Sequence, residues 1–254
     1  MGLFSSLYNF GQQQKNKFLF YEITKNNQID LDYNNNIESL DILREVFYQR
    51  VYSDYFPFYT NSIILDIGAH KGYFSIFASK NLSKNSKIYS FEPIESNFNI
   101  LNKNLYDNNI NNVITFNLGV YSENKELSFY LSKSENNSIF ENYNPLLNQN
   151  NQDEIIVNCL TLKDIIKENN FNKIDFLKLD VEGSEYPIIF NSKKEVLDKI
   201  KTISIEFHDL KNPSYSGLEL VKFLEKNNFR IVKFNHEPST INNNFGKIIA
   251  ISNF

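Results

Sequence analysis

The stretch Ile64–Ser75, ILDIGAHKGYFS, places an acid and two glycines at the end of an apolar run. Gly68 and Gly72 would let the backbone approach a ligand with no Cβ in the way. The apolar segment after them reads as a helix, whose first N–H groups could face a carboxylate or a phosphate. The loop is not a P-loop, because Lys71 precedes its glycine and no Gly-Lys-Ser/Thr follows. It is not a complete dinucleotide fingerprint either, since His70 holds the middle position. Taken alone, a plain tight turn explains it equally well. Glu92 ends the next apolar run, SKIYSFEP, roughly twenty residues beyond Gly68, where an acid can accept from both hydroxyls of a ribose. Asn117–Val120, NLGV, follows a third run and offers small and apolar groups for a flat base, or a turn built on Gly119. In LKLDVEGSEYPII, Asp180, Glu182 and Glu185 crowd around Gly183 after a strongly apolar segment. Such acids repel one another unless a cation, a base or a hydrogen-bonding ligand is near. The competing reading is a solvated loop that caps a helix through Ser184 or Asp180. Finally, ISIEFHD sets Glu206 and His208 on one side of a strand by the period of two. His208 stands at the strand's carboxyl end, while His70 and His236 fall in loops.

These residues need elements to position them. From Ser62 onward short apolar runs alternate with helix-like segments, which implies a mainly parallel sheet covered on both faces. In such sheets ligands sit beyond the carboxyl ends of the strands, where Asp66, Glu92, Asp180 and His208 fall. KELSFYLS alternates like an exposed antiparallel arm, and IIVNCLTLKDII reads as a strand running into a short helix. RIVKFN and GKIIAISNF read as a closing antiparallel pair. Upstream, ESLDILREVFYQRVYSDYF has Leu40, Ile42, Leu43, Val46, Phe47 and Val51 at helical spacing. The expected fold is α/β, with residues 1–60 as a helical or mixed extension packed on a main domain of residues 61–254.

Composition narrows the partners. The chain has 254 residues, is 41% hydrophobic and carries a formal charge of -4. That suits one core and offers no basic field for a nucleic-acid backbone. A single cysteine, Cys159, leaves no internal disulfide and no Cys-rich zinc site. The N-terminus lacks the basic-then-apolar order of a secretory signal. No apolar run is long enough to span a membrane, so a cytoplasmic protein is expected. Met1-Gly2 with Ser6 fits a loose myristoylation pattern. The excess of Asn, Lys, Ile, Phe and Tyr follows AT-rich codons and lowers the weight of every Asn-rich loop.

ILDIGAHKGYFS, IYSFEPIESNFNILNKNL, NLGV, LTLKDII, IDFLKLDVEGSEYPII and ISIEFH together resemble a class I, Rossmann-like methyltransferase, and within that class the FkbM family. The likeness spans roughly Ile63 to His208. It implies a sheet of about seven strands with an antiparallel C-terminal hairpin, and methyl transfer from S-adenosylmethionine, usually to a hydroxyl of a sugar, glycan, polyketide or similar small molecule. Carried over by position, Asp66, Gly68, His70 and Gly72 would surround the methionine part of the cofactor. Glu92 would bind the ribose, with Asn97 close by. Asn117, Leu118 and Gly119 would border the adenine, and Asp180 and Glu182 would face the methionine end and the acceptor. His70 stands where many methyltransferases carry glycine. His208, oriented by Glu206, or else Glu182, is the expected proton acceptor. A magnesium ion on Asp180, Glu182 or Glu185 is the alternative way to activate the acceptor. An NAD(P)-dependent oxidoreductase shares the loop and the ribose acid but gives the Asp180 cluster no role. A non-catalytic cofactor-binding protein would tolerate loss of His208 and Glu182. The segment at residues 133–152, with Phe140, Tyr143, Leu146 and Leu147, is the expected acceptor lining.

Overall fold

A computed structural model of the protein describes residues 2–31, 37–131, 153–210, 212–237 and 245–253. The expected acceptor lining at residues 133–152 lies outside them. The parallel strands are β1 (Ile63–Ile67), β2 (Lys87–Phe91), β3 (Val113–Phe116), β7 (Phe176–Leu179) and β8 (Thr202–His208). They are joined by β9 (Phe229–Glu237) and β10 (Phe245–Ser252) in one seven-stranded sheet of order β3-β2-β1-β7-β8-β10-β9. β10 runs antiparallel to both β8 and β9. This is the expected sheet of about seven strands, mostly parallel, closed by a C-terminal antiparallel hairpin. Helices α3 (Tyr73–Asn81), α4 (Glu95–Asp107), α5 (Leu162–Glu168), α6 (Glu185–Phe190), α7 (Lys194–Leu197) and α8 (Gly217–Lys226) supply the connections.

Residues paired across strands share a face, and each face of a parallel sheet is normally apolar. Here one face obeys that rule throughout: Leu65, Ile67, Leu177, Leu179, Ile203, Ile205 and Phe207 are all buried in one cluster. The other face changes character along the strands. Its lower half, Ile64, Ile88 and Phe176, is packed under Phe74 and Phe77 of α3. Its upper half is polar. Ser90, Asp66, Lys178 and Ser204 pair in register across β2, β1, β7 and β8, and all four are buried. Two residues further toward the carboxyl ends, Glu206 pairs with Lys247, and Lys247 with Asn235.

The N-terminal region covers this face. Helices α1 (Gly2–Asn27) and α2 (Ile37–Leu43) lead into a π-helical turn at Arg44–Gln49. Leu43, Val46, Phe47, Tyr52 and Phe56 join the same apolar cluster as Ile64 and Phe176, and the Phe56 ring meets Phe176 edge-on at 5.3 Å. The periodicity predicts a helix reaching Val51, but helical backbone stops at Gln49. Arg50 takes φ 52, a left-handed stop that turns the chain inward and buries Tyr52 over the polar half of the sheet. The expected third strand also divides. β3 ends at Phe116, and Gly119–Val120 forms β4 of a second sheet of order β4-β6-β5, with β5 at Lys125–Leu131 and β6 at Asp153–Leu160. The break follows from Asn117, whose amide donates to the carbonyls of Glu92 and Pro93 and pins the turn.

Gly68 links β1 to β7. It has φ +77, and a Cβ there would lie 1.8 Å from the carbonyl oxygen of Asp180. A Gly68→Ala substitution therefore forces the two strand ends apart, at a cost of about 3 kcal/mol or more. The expected result in thermal unfolding is a fall in Tm of about 6–12 °C; an unchanged Tm contradicts this packing.

Candidate active site

The polar half of the sheet converges on one ammonium. Lys178 sits in the middle of the buried run Phe176–Leu179, and its Nζ donates to the Gly68 carbonyl at 2.8 Å. It also lies 3.3 Å from Asp66 Oδ1 and 3.4 Å from Asp180 Oδ2. Burial alone would lower its pKa, but Asp66 and Asp180 outweigh that and raise it. Asp66 is wholly buried and takes a second bond from Ser75 Oγ at 2.6 Å. It stands in register with Lys178 and Ser90 just before the glycine loop. Burial alone would raise the Asp180 pKa, but Lys178, His208 and Lys247 outweigh it and hold the carboxyl below its ordinary value. Asp180 accepts a further bond from Tyr52 Oη at 3.3 Å.

The glycine loop is folded against the second strand end. Gly68 N and Ala69 N both donate to the Phe91 carbonyl, and His70 N donates to Glu92 Oε2 at 2.8 Å. His70 itself takes φ +51, a left-handed conformation that a side chain adopts at a cost of about 1–2 kcal/mol. Glycine would adopt it without that cost, and the bond from its backbone N–H to Glu92 holds the histidine there. Lys71 is buried, and its Nζ reaches Ser39 Oγ of α2 at 2.6 Å, tying the loop to the N-terminal cover. Gly72 takes φ +82 and opens α3.

Glu92 is 4% exposed. Its other oxygen accepts from Ile94 N at 2.9 Å, and Asn97 also hydrogen-bonds it. Burial raises its pKa, while the backbone donors, Asn97 and His70 pull the other way. Three donors occupy three of the roughly four lone-pair sites of the carboxylate, so one site remains for a ligand hydroxyl. The residues expected around an adenine divide. Asn117 spends its amide on the turn after β3, and Gly119 is glycine because a Cβ would stand 2.7 Å from Cys159 Sγ. Leu118 is half-buried against the core.

The acid cluster after β7 is built around His208. Its Nδ1 is 3.1 Å from Glu185 Oε1, and its Nε2 is 3.4 Å from Glu182 Oε2. Glu185 thus fills the orienting role that the period of two gave to Glu206. Burial would lower the His208 pKa, but Glu182, Glu185 and Glu206 push it up to about 10, so the ring is an imidazolium at neutral pH. The capping alternative is not realised, since Ser184 precedes α6 with no side-chain cap bond. Nor is the magnesium site. Glu182 and Glu185 turn onto the imidazole, Asp180 turns onto Lys178 and Tyr52, and among the described residues no three His, Cys, Asp or Glu side chains could hold a metal. His236 pairs with Asp209 at 2.8 Å, apart from this cluster.

Several residues join the site that the motifs did not show. Lys178 and Lys247 are single charges inside apolar strands, FLKL and GKIIAI, and that contrast was the available signal. Tyr52 and Glu45 come from the N-terminal region, where the sequence shows a helical pattern and no site. The described residues contain no helix long and apolar enough to cross a membrane.

Comparison with known proteins agrees with this geometry. The methyltransferase FkbM domain family matches residues 66–231. The chain is similar to Methyltransferase 1 of Beauveria bassiana, with 27% identity over 185 residues, which cover 67% of this chain and 74% of that protein. It is also similar to Methyltransferase sdnD of Sordaria araneosa, with 25% identity over 223 residues covering 78% of this chain and 84% of that one. Among solved structures, the METTL16 MTase domain superposes with a TM-score of 0.55 at 12% identity, over 94% of this chain and 79% of that one, which shows a shared fold. A buried acid with an acceptor site to spare at the end of β2, a glycine loop against it and an ionised acid after β7 fit S-adenosylmethionine. The match over most of the chain places the protein in the FkbM methyltransferase family, an S-adenosylmethionine-dependent methyltransferase by its membership.

Proposed function

We propose that the protein methylates a hydroxyl oxygen of a sugar, a glycan or a similar small polyol. The observation that carries this reading is the charge balance at the open end of the site. Asp180 and Glu182, whose side chains are 26% and 21% exposed, form its solvent-facing edge. Behind them Lys178 is matched by Asp66 and Asp180, and Glu206 and Glu45 stand near Lys247, so no excess of positive charge faces the opening. A neutral hydroxyl can donate to such acids, whereas an anionic acceptor would meet repulsion. Exposed Tyr48 and Tyr55 flank the segment that buries Tyr52, and tyrosine rings suit the C–H faces of a sugar.

Bound S-adenosylmethionine supplies an electrophilic methyl group and a neutral thioether as leaving group. The chain supplies alignment. Glu92 would hold a ribose hydroxyl, with its own position fixed by the amides of His70 and Ile94. Asp180, kept ionised by Lys178, would face the positive sulfonium. His208, as the imidazolium, bridges Glu182 and Glu185 and offsets one of their two charges, which eases their approach to Asp180. Lys178 would act as a positioning residue, since it joins the loop carbonyl at Gly68 to Asp180.

Calorimetric titration tests the cofactor half. Glu92→Ala should weaken S-adenosylmethionine binding about ten- to several-hundred-fold, the loss of hydrogen bonds to one charged group. NAD should not bind. Lys178→Met leaves Asp66 and Asp180 without their shared cation and should weaken binding about tenfold or more, with a lower Tm. Unchanged affinity in both variants contradicts the placement of the cofactor. The acceptor half is tested with radiolabelled methyl donor and a panel of methyl glycosides, linear polyols, primary amines and carboxylic acids. Label in a stable ether supports the reading; label only in an amine or an ester overturns it.

A further inference from the structure

Methylation of a hydroxyl requires a place for its proton, and His208 already holds one. The same polar row contains a second nitrogen. Lys247 opens the last strand and lies in register with Glu206 on β8 and Asn235 on β9. Its Nζ is shielded from solvent, and among the described residues it has no hydrogen-bond partner. It stands 3.4 Å above the centre of the Tyr52 ring, whose hydroxyl donates to Asp180. The contrast with Lys178 is direct. That ammonium is held by a carbonyl and two carboxylates, while the Lys247 amine, with no hydrogen bond among the described residues, rests on an aromatic ring.

We propose that the Lys247 amine is the proton acceptor for the hydroxyl being methylated, with Glu206 as its proton-sharing neighbour and the Tyr52 ring as the surface that receives the ammonium. This rests on the hydroxyl-transfer reading above. In the step, the acceptor O–H bond breaks and its proton moves onto the Nζ lone pair. The oxygen forms a bond to the methyl carbon as the carbon–sulfur bond breaks, and that electron pair stays on sulfur. The new ammonium faces the π-surface of Tyr52, and its proton leaves through Glu206 to solvent. The flexible four-carbon stem lets the amine swing from the ring toward Asp180 with the strand unmoved.

The surroundings suit that task. Glu206 faces the amine from β8, Asp180 and Lys178 from β7 and its following loop, Glu45 from the π-helical turn and Tyr52 from the segment after it. Burial lowers the Lys247 pKa to about 8, and Lys178 works in the same direction against the three acids. Burial and Asp180 raise Glu206 to about 8, against His208 and Lys247. Glu206 lies in register beside Lys247, and both groups are pushed toward the range where a general base works best.

Lysine labelled with carbon-13 at Cε reports the protonation directly in the full-length protein. One resonance should titrate near pH 8, against roughly 10.4 for an ordinary lysine, and should vanish in Lys247→Met. A low-titrating resonance that survives in Lys247→Met, or none below about pH 10, overturns the proposal. Transfer to the best methyl glycoside of the panel is the second readout. Both Lys247→Met and Lys247→Arg should lose about a hundredfold or more in kcat, with S-adenosylmethionine affinity within about threefold of wild type. Wild-type kcat should rise with pH through the NMR midpoint and level off above it. Arginine holds its proton at every working pH, so near-normal turnover in Lys247→Arg also overturns the proposal. Failure of the wild-type protein to bind S-adenosylmethionine would instead contradict the methyl-transfer reading, and the NMR titration would still decide the state of Lys247.

Discussion

A buried ammonium at the centre of a parallel sheet organises this protein. Desolvating a lysine costs several kcal/mol unless carboxylates and a hydrogen-bond acceptor surround it. Lys178 meets that condition only where β1 and β7 end together, because its three partners come from the end of β1, the loop after it and the residue following β7. The glycine loop, the buried acid Asp66 and the site acid Asp180 are therefore placed by one interaction. Gly68 completes the arrangement, since only a residue without Cβ can rest on the Asp180 carbonyl. The Tyr52 and Phe74 rings lie 5.6 and 5.9 Å from the same ammonium and close it from above.

The two ends of the site are built differently. At the cofactor end the side chains are locked: Glu92 is held by two amides and Asn97, and Asp66 by Ser75 and Lys178. At the end where we propose that the acceptor binds, the charges are poised rather than fixed. Glu206 and Lys247 share a protonation range, and His208 balances two acids. Rigid binding of a constant cofactor beside a more adjustable proton-handling region is what a methyl transfer requires, because the donor is the same in every turnover and the acceptor must lose a proton. The N-terminal region belongs to this second end. It places Tyr52 and Glu45 near Lys247, and Asp54 anchors it to Lys233 of β9 at 2.6 Å.

Most of the sheet was legible in the sequence, because its strands are short, apolar and bounded by glycine or proline. The glycine loop and Glu92 were legible for the same reason: their types and separation are tied to one local geometry. The pairing of Glu185 with His208 was not, since strand period places Glu206 and His208 on one side but says nothing of a helix that returns from the next segment. Lys178 and Lys247 were passed over because an isolated charge in a strand tells nothing of its neighbours until the strand order is known. The end of the N-terminal helix was misjudged through Val51, whose apolar character fits a helix as well as the inward turn at Arg50 that it follows. The close approach of Gly119 to Cys159 in the second sheet was not legible either, because it depends on the pairing of β4 with β6.

The most direct test of this account is a crystal structure of the protein with S-adenosylhomocysteine. The account predicts a ribose hydroxyl on Glu92 and the sulfur beside Asp180, with the Lys247 amine on the far side of the space that the methyl group would occupy. A ribose bound away from Glu92, or a sulfur remote from the Asp180 and Lys247 row, would contradict it.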